Sequence, residues 1–203
     1  MGECMPTPEE EARQQHIDPL LSSAGWVLQD YSQMNRLAGV GVAVRDRPGV
    51  ADADYLLYVN GGVAGAVEAK RLGTTLSHAE EQPARYIAGI PVNSPKAYDP
   101  PPFHYESTGI ETYFKDTRDV DARSRRVFAF HKPETMVEWL EDDSTFRNRL
   151  KQMPPIIEEG LRPVQIEAMR NLERSLAENR PRALVQMTMG SGKTIFAIAE
   201  AYR

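Results

Sequence analysis

The sequence predicts an α/β protein built in two parts. Three observations carry that reading. Short strand-like runs alternate with helical segments from residue 9 to about 140. A proline-bearing stretch, "QMPPIIEEGLRP", then interrupts the pattern. Beyond it, a helix, an apolar run, a glycine loop and a second helix follow in the order of a phosphate-binding βα unit. We place the first domain at 1–150, a linker at 151–162 and the start of a second domain at 163–203.

Each element has its own signal. Ile17, Leu20 and Leu21 recur at helical spacing within 9–24, and Gly25 follows as a C-terminal cap. Strands are expected over 26–30, 39–46, 54–59, 63–70, 103–108, 111–115 and 126–131, each bounded by Gly, Pro, Asn or Asp. Helices are expected over 76–88 and 133–140, with a polar helical stretch around 143–151. In the second part, "VQIEAMRNLERSLAEN" reads as a helix and "RALVQM" as a buried strand. "TMGSGK" follows as a loop and "TIFAIAEAYR" as a helix.

Composition narrows the class. With 41% hydrophobic and 26% charged residues, the chain fits a water-soluble globular protein. No apolar run approaches the about 18 residues of a membrane span, and the acidic N-terminus has no secretory core. A lone cysteine, Cys4, cannot close an internal disulfide, so the expected setting is the cytoplasm. The net charge of −5 neither advertises nucleic-acid binding nor excludes it, because phosphate contacts need only a local basic surface.

The segment "DYLLYVNGGVAGAVEAK" raises the first chemical question. Strand alternation puts Glu68 and Lys70 on one face, and Asp54 opens the preceding strand. A three-residue connection at Asn60-Gly61-Gly62 sets 54 opposite 68. A two-residue turn puts them on opposite faces unless a bulge intervenes. Two carboxylates on adjacent strands suit Mg²⁺, which takes oxygen ligands and leaves room for a phosphate. The small Ala64 and Ala66 are expected on that same face. A solvated strand end with a stray Glu and Lys is the plainer alternative, and spacing alone does not separate the two. In the next helix, Gln82 and Tyr86 stand four residues apart and so share a face, although Pro83 between them belongs in a first turn or at a kink.

"MTMGSGKT" supplies the second signal. Gly190, Ser191, Gly192, Lys193 and Thr194 match the end of a phosphate loop: backbone N–H groups for the β-phosphate, the lysine for the β/γ-phosphates, and the threonine hydroxyl for Mg²⁺. Met187 replaces the first glycine, as is common in superfamily 2 helicases and translocases, and Gln165 stands where such motors place an adenine-reading glutamine. Since no downstream acidic motif or arginine finger appears within the chain, these residues alone are not expected to hydrolyse ATP.

Both halves together resemble the R (restriction, or motor) subunit of type I restriction enzymes. The resemblance is carried by "IDPLLSSAGW", "MNRLAGVGVAVRD", "ADYLLYVNG", "GAVEAKRLGTTL", "YESTGIET", "RSRRVFAFHKPETMVEWL", "LRPVQIEAM" and "QMTMGSGKT". It implies a restriction-endonuclease-like PD-(D/E)XK domain, a mixed sheet flanked by helices, followed by the first βα unit of a RecA-like domain. Asp54, Glu68 and Lys70 then fall on the catalytic motif, and Gln82 with Tyr86 on its Q-x-x-x-Y element. Glu11 is the candidate for a further acidic metal ligand on the first helix, with Glu9 and Glu10 beside it. The resemblance further implies Mg²⁺ at the nuclease site, ATP with Mg²⁺ at the motor, double-stranded DNA as substrate, and specificity and methyltransferase subunits as partners. Two other readings stay open: an inactive nuclease fold that docks the motor onto DNA or partner subunits, and a plain superfamily 2 helicase with an unrelated N-terminal domain.

The remaining signals are weaker. "RDVDARSRR" can meet DNA backbone or form a salt-bridged loop. His16, His78, His104 and His131 show no metal-ligand spacing.

Overall fold

The computed structural model describes residues 13–46, 48, 53–76, 89–90, 93–120, 122–142, 144–180 and 182–203. They form two compact units: one holds the described residues of 1–118 and 122–143, the other those of 119–121 and 144–203. The division at 143/144 lies ahead of the boundary expected at 150.

The first unit is a mixed seven-stranded sheet whose strands lie in chain order. They are β1 (Val27–Asp30), β2 (Gly41–Arg45), β3 (Tyr55–Val59), β4 (Gly62–Ala69), β5 (Phe103–Ser107), β6 (Thr112–Asp116) and β7 (Arg125–Val127). The β1–β2 and β4–β5 pairs are parallel and the others antiparallel. Central position explains the composition of β3, "YLLYV", which is buried along its whole length. Tyr55, Leu57 and Val59 enter one core with Val67, Phe103, Tyr105 and Phe114. Leu56 and Tyr58 enter a second core on the opposite face, with Val42, Val44, Ala66 and Ile90.

Helix α1 (Asp18–Ser23) and helix α2 (Pro133–Glu141) cover the first face through Leu21 and Met136. Each carries proline in its first turn, where the missing N–H costs no helical bond. Gly25, at φ +92°, ends the first as expected, and the Trp26 indole then donates to the His131 carbonyl at 3.0 Å. The described part of the segment ahead of α1, Arg13–Ile17, is wound as a wider π-turn and not as ordinary α-helix. The strand expected over 126–131 is cut to β7, because only three residues find partners on β6. Phe128, just past it, is fully exposed. The helix expected over 76–88 lies outside the described residues save for Leu76.

In the second unit, helix α3 (Phe146–Arg149) runs into a 3₁₀ turn (Leu150–Gln152), and after an irregular stretch come α4 (Pro163–Ala177) and α5 (Lys193–Tyr202). Asn179, left-handed at φ +57°, closes α4 and ties the unit together: it accepts from Arg147 at 3.1 Å and donates to the Val120 carbonyl at 3.2 Å. The strand expected at 182–187 is not formed. Its backbone has no ladder partner among the described residues, and Leu184 is 92% exposed. An isolated apolar run does not become a strand without a neighbour to satisfy its peptide groups. No helix of the described residues is long and apolar enough to cross a membrane.

Candidate active site

The β3–β4 hairpin settles the geometry of the first motif. Asn60 and Gly61, at φ +47° and +79°, form a two-residue turn of the kind that matches strand twist. By itself that turn sets Asp54 and Glu68 on opposite faces. The register, however, slips between Leu57 and Tyr58, where Leu57 faces Gly65 and Tyr58 faces Val63. This bulge restores the pairing that a three-residue loop was expected to give. Tyr55 then faces Val67, where the ladder ends, and Asp54 bends just before it: its N–H donates to the Val67 carbonyl at 3.0 Å and its carboxylate accepts from the Ala69 N–H, which sets Asp54 beside the end of β4 that carries Glu68. The bulge has a second consequence. Ala64 turns into the first core while Ala66 stays in the second, so the two alanines do not share the face expected of them.

Around the carboxylates the charges are already matched. Asp54 accepts from the Ala69 N–H at 2.7 Å through one oxygen, and its other oxygen lies 3.3 Å from the Arg13 guanidinium. Arg13 also holds Asp46, which stands at the end of β2 in a left-handed backbone at φ +50°. Burial opposes the Arg13 charge, but the bond to Asp46 and the attraction of Asp46 and Asp54 outweigh it and raise its pKa. The Lys70 ammonium donates to Glu68. Lys70, Glu68 and Asp54 are each largely but not wholly covered, with 28%, 16% and 27% of their side chains exposed. A second network braces the hairpin from the first face: Arg45 holds Asp18 at 2.7 Å and Asp30 at 3.1 Å, and the Tyr55 hydroxyl donates to Asp18 at 2.7 Å. Burial and that bond raise the Tyr55 pKa.

Two carboxylates at the same end of the hairpin, with an ammonium two residues from Glu68, are of the donor type that an oxygen-preferring divalent cation takes. Among the described residues no three His, Cys, Asp or Glu side chains come together as a ligand set. Glu11, Gln82 and Tyr86, the other residues expected here, lie outside the described residues.

The flanking strands were expected over 103–108 and 111–115, but the place of their residues beside the site was not. Glu106 of β5 is in register with Glu68, and Tyr113 of β6 with Glu106. One row over, Ala66, His104 and Lys115 align in the same way. These side chains share the Glu68 face because Phe103, Tyr105 and Phe114 take the other. Alternation within "FHYES" was the signal available. His104 is 8% exposed, and burial, reinforced by the Lys115 charge, lowers its pKa to about 3. Of the "RDVDARSRR" arginines, Arg118 is structural. It pairs with Asp116 at 2.7 Å, donates to the Trp139 carbonyl, and lies 5.1 Å over the Phe103 ring.

In the second unit, Gly190 and Gly192 both take left-handed backbone, at φ +78° and +82°, and Gly192 opens α5. Lys193 and Thr194 are exposed at its start, and the Lys193 ammonium donates to the carbonyls of Met187 at 3.3 Å and Thr188 at 3.0 Å. The Ser191 hydroxyl donates to Thr188 at 2.7 Å. Gln165, expected to read adenine, is 1% exposed and spends its amide on backbone: its oxygen accepts from the Arg162 N–H at 2.8 Å, and its nitrogen donates to the Gly192 carbonyl at 2.9 Å. Arg162 donates to the Gly190 carbonyl at 2.7 Å. The start of α4 therefore anchors both loop glycines.

Two family models match separate stretches of the chain. Residues 40–123 match the family model described as type I restriction enzyme R protein N terminus, and residues 158–203 match that of type III restriction enzyme, res subunit. The chain is similar to the EcoKI endonuclease subunit of Escherichia coli (strain K12), with 28% identity over 249 residues. That alignment takes in 96% of this chain and 21% of the relative, so the chain spans about a fifth of the length of that protein. A solved fragment described as an HsdR subunit of a type I restriction enzyme from Vibrio vulnificus YJ016 aligns over 98% of this chain and 38% of its own, at 17% identity and a TM-score of 0.48.

Proposed function

This chain belongs to the R-subunit family of type I restriction enzymes, and from that premise we propose that its first unit is a metal-dependent DNA endonuclease of the PD-(D/E)XK type. The observation that supports the reading is the bulged β3–β4 hairpin, at one end of which the Asp54 carboxylate accepts from the Ala69 N–H, one residue from Glu68, and Lys70 donates to Glu68. Asp54 and Glu68 are the ligands for Mg²⁺. Bound there, the cation supplies Lewis-acid polarisation of the scissile phosphate and a more acidic water. Lys70 sets an ammonium where negative charge grows on the phosphate oxygens or on the attacking water. Gln82 and Tyr86 complete the phosphate side, and Glu11 is the further acidic ligand.

The second unit binds ATP with Mg²⁺ through the loop from Gly190 to Thr194 and supplies the entry of a RecA-like motor. In the whole subunit this motor translocates double-stranded DNA, and the assembly includes specificity and methyltransferase subunits in the cytoplasm. Support comes from the two left-handed glycines and the exposed Lys193 and Thr194 at a helix start. Gln165 serves first as the anchor of Gly192, and adenine reaches it only if that bond is exchanged.

Mn²⁺ binding by calorimetry on this chain tests the proposal. Glu68→Ala is expected to abolish binding and Lys193→Ala to leave it intact. Equal binding by Glu68→Ala and the wild type removes the metal from the hairpin and sinks the nuclease reading. In the whole assembly, Glu68→Ala is expected to stop DNA cleavage while ATP hydrolysis continues, and Lys193→Ala to stop both.

A further inference from the structure

The carboxylates assigned to the metal each have an internal cation in place. Lys70 lies on Glu68, as the motif reading leads one to expect, but Arg13 on Asp54 belongs to no motif. Arg13 comes from the turn ahead of α1 and reaches across to two carboxylates at once: Asp46, where β2 ends, and Asp54, where β3 begins. The two ends are themselves joined, since the Asp46 N–H donates to the Asp54 carbonyl at 3.0 Å. The guanidinium is well covered, with 12% of the Arg13 side chain exposed against 63% for Asp46. Asp46 keeps a backbone conformation that non-glycine residues seldom adopt. The positive charge is thus buried, shared and held within contact distance of one of the two metal-ligand candidates.

We propose that Arg13 is a placeholder cation for the metal site: it neutralises Asp54 when no metal is bound, and Asp46 is the acceptor that retains it when a divalent cation takes Asp54. The inference rests on the nuclease reading above. A fixed guanidinium near Asp54 repels an incoming cation, and its removal takes that positive charge away from Asp46 and Asp54. Arg13 is therefore a positioning residue that sets metal affinity, and it takes no part in the bond-breaking chemistry. Asp46 offers the alternative resting place, and its exposure lets that pair relax toward solvent.

A Mn²⁺ titration of this chain separates the possibilities by sign. Arg13→Gln keeps a polar side chain and loses the charge, and is expected to tighten Mn²⁺ binding by about three- to tenfold. Arg13→Lys is expected to stay near the wild type. Asp46→Asn removes the charge that draws Arg13 away from Asp54 and is expected to weaken binding by a similar factor. Misfolding weakens binding in any variant, so tightening in Arg13→Gln has no structural explanation. If Arg13→Gln fails to fold, Asp46→Asn decides alone: weaker binding with an unchanged melting curve supports the proposal, and unchanged or tighter binding overturns it. Unchanged or weaker binding in a folded Arg13→Gln likewise overturns it. The parent reading fails by a different result, namely wild-type binding in Glu68→Ala or no binding in any variant.

Discussion

The two candidate sites are held by different physics. Glu68 rides on a strand with ladder partners to either side, and Asp54 and Lys70 adjoin the ends of β3 and β4, so their spacing follows the register of a whole sheet. The loop from Met187 to Gly192 has no ladder leading into it. Its shape depends on two left-handed glycines and on side chains reaching across from the start of α4. A site of side chains needs its scaffold to be right over tens of residues, whereas a site of backbone N–H groups can be shaped by a few local contacts. The contrast predicts that damage in the first unit spreads and damage in the second stays local.

Gly65→Ala is the severest way to sharpen the contrast. A Cβ there meets the Phe103 carbonyl oxygen at 2.1 Å, in backbone that cannot turn aside. The β4–β5 pairing must open, and Glu68 lies three residues further along it. The expected cost is about 3 kcal/mol or more, with Mn²⁺ binding lost alongside stability. Phe114→Ala removes a buried ring that packs 4.8 Å from Tyr105 and 5.9 Å from Phe103. It is expected to cost about 3–5 kcal/mol and to weaken Mn²⁺ binding from the far face of the sheet. Chemical denaturation with a metal titration checks both. Preserved Mn²⁺ affinity in a destabilised Gly65→Ala breaks the claim that register positions the carboxylates.

The second unit is expected to behave otherwise. Gly192→Ala adds a Cβ 2.3 Å from the Gln165 amide nitrogen at φ +82°. The left-handed strain of about 1–2 kcal/mol falls on the loop alone. ATP binding by the whole subunit should drop while the melting of the first unit and its Mn²⁺ affinity stay unchanged. Gln165→Leu acts on the same contact from the other side. It removes the bonds to the Arg162 N–H and the Gly192 carbonyl, an expected loss of about 1–3 kcal/mol in that unit, read as faster hydrogen exchange over 188–194. Protection equal to the wild type there denies Gln165 its anchoring role.

How much of this was legible from the residues follows the same division. Features that depend on adjacent residues could be read: a glycine turn after residue 59, the strand run of β3, and a glycine loop at 190–192 leading into a helix. What depends on distant partners could not. The bulge at Leu57/Tyr58 has no composition signal, yet it alone reconciles a two-residue turn with Tyr55 opposite Val67. Glu106 beside Glu68 needs a parallel pairing between segments about 40 residues apart, and strand alternation gives no register across such a gap. "RALVQM" was read as a strand from its composition, but a strand is a relation between two segments, and 182–187 has no second one among the described residues. Arg13 escaped notice because its worth lies in meeting Asp46 and Asp54 from a turn whose sequence is only polar.

The most gradual expected effect concerns acid. His104, between the candidate site and β6, and His131, whose Nδ1 meets the Tyr105 hydroxyl at 2.6 Å, are both held neutral by burial, with pKa values lowered to about 3 and about 4. In the unfolded chain each titrates near its ordinary value of about 6.5. Between those limits the unfolded state binds protons that the folded state refuses, so the stability of the first unit rises with pH there and falls as the solution is acidified. Above about pH 6.5 the contribution is complete and flat. The slope is at most about 1.4 kcal/mol per pH unit for each imidazole. His104→Gln should lower that slope between pH 4 and 6, at some cost in packing, while leaving the acid response of the second unit untouched, since none of the four histidines lies beyond His131. A denaturation series across that pH range, followed separately by Trp26 and Trp139 fluorescence and by hydrogen exchange in α4, gives the test. Equal acid slopes in the wild type and His104→Gln mean that His104 is protonated in the folded protein, and that its place beside Lys115 is wetter than its burial implies.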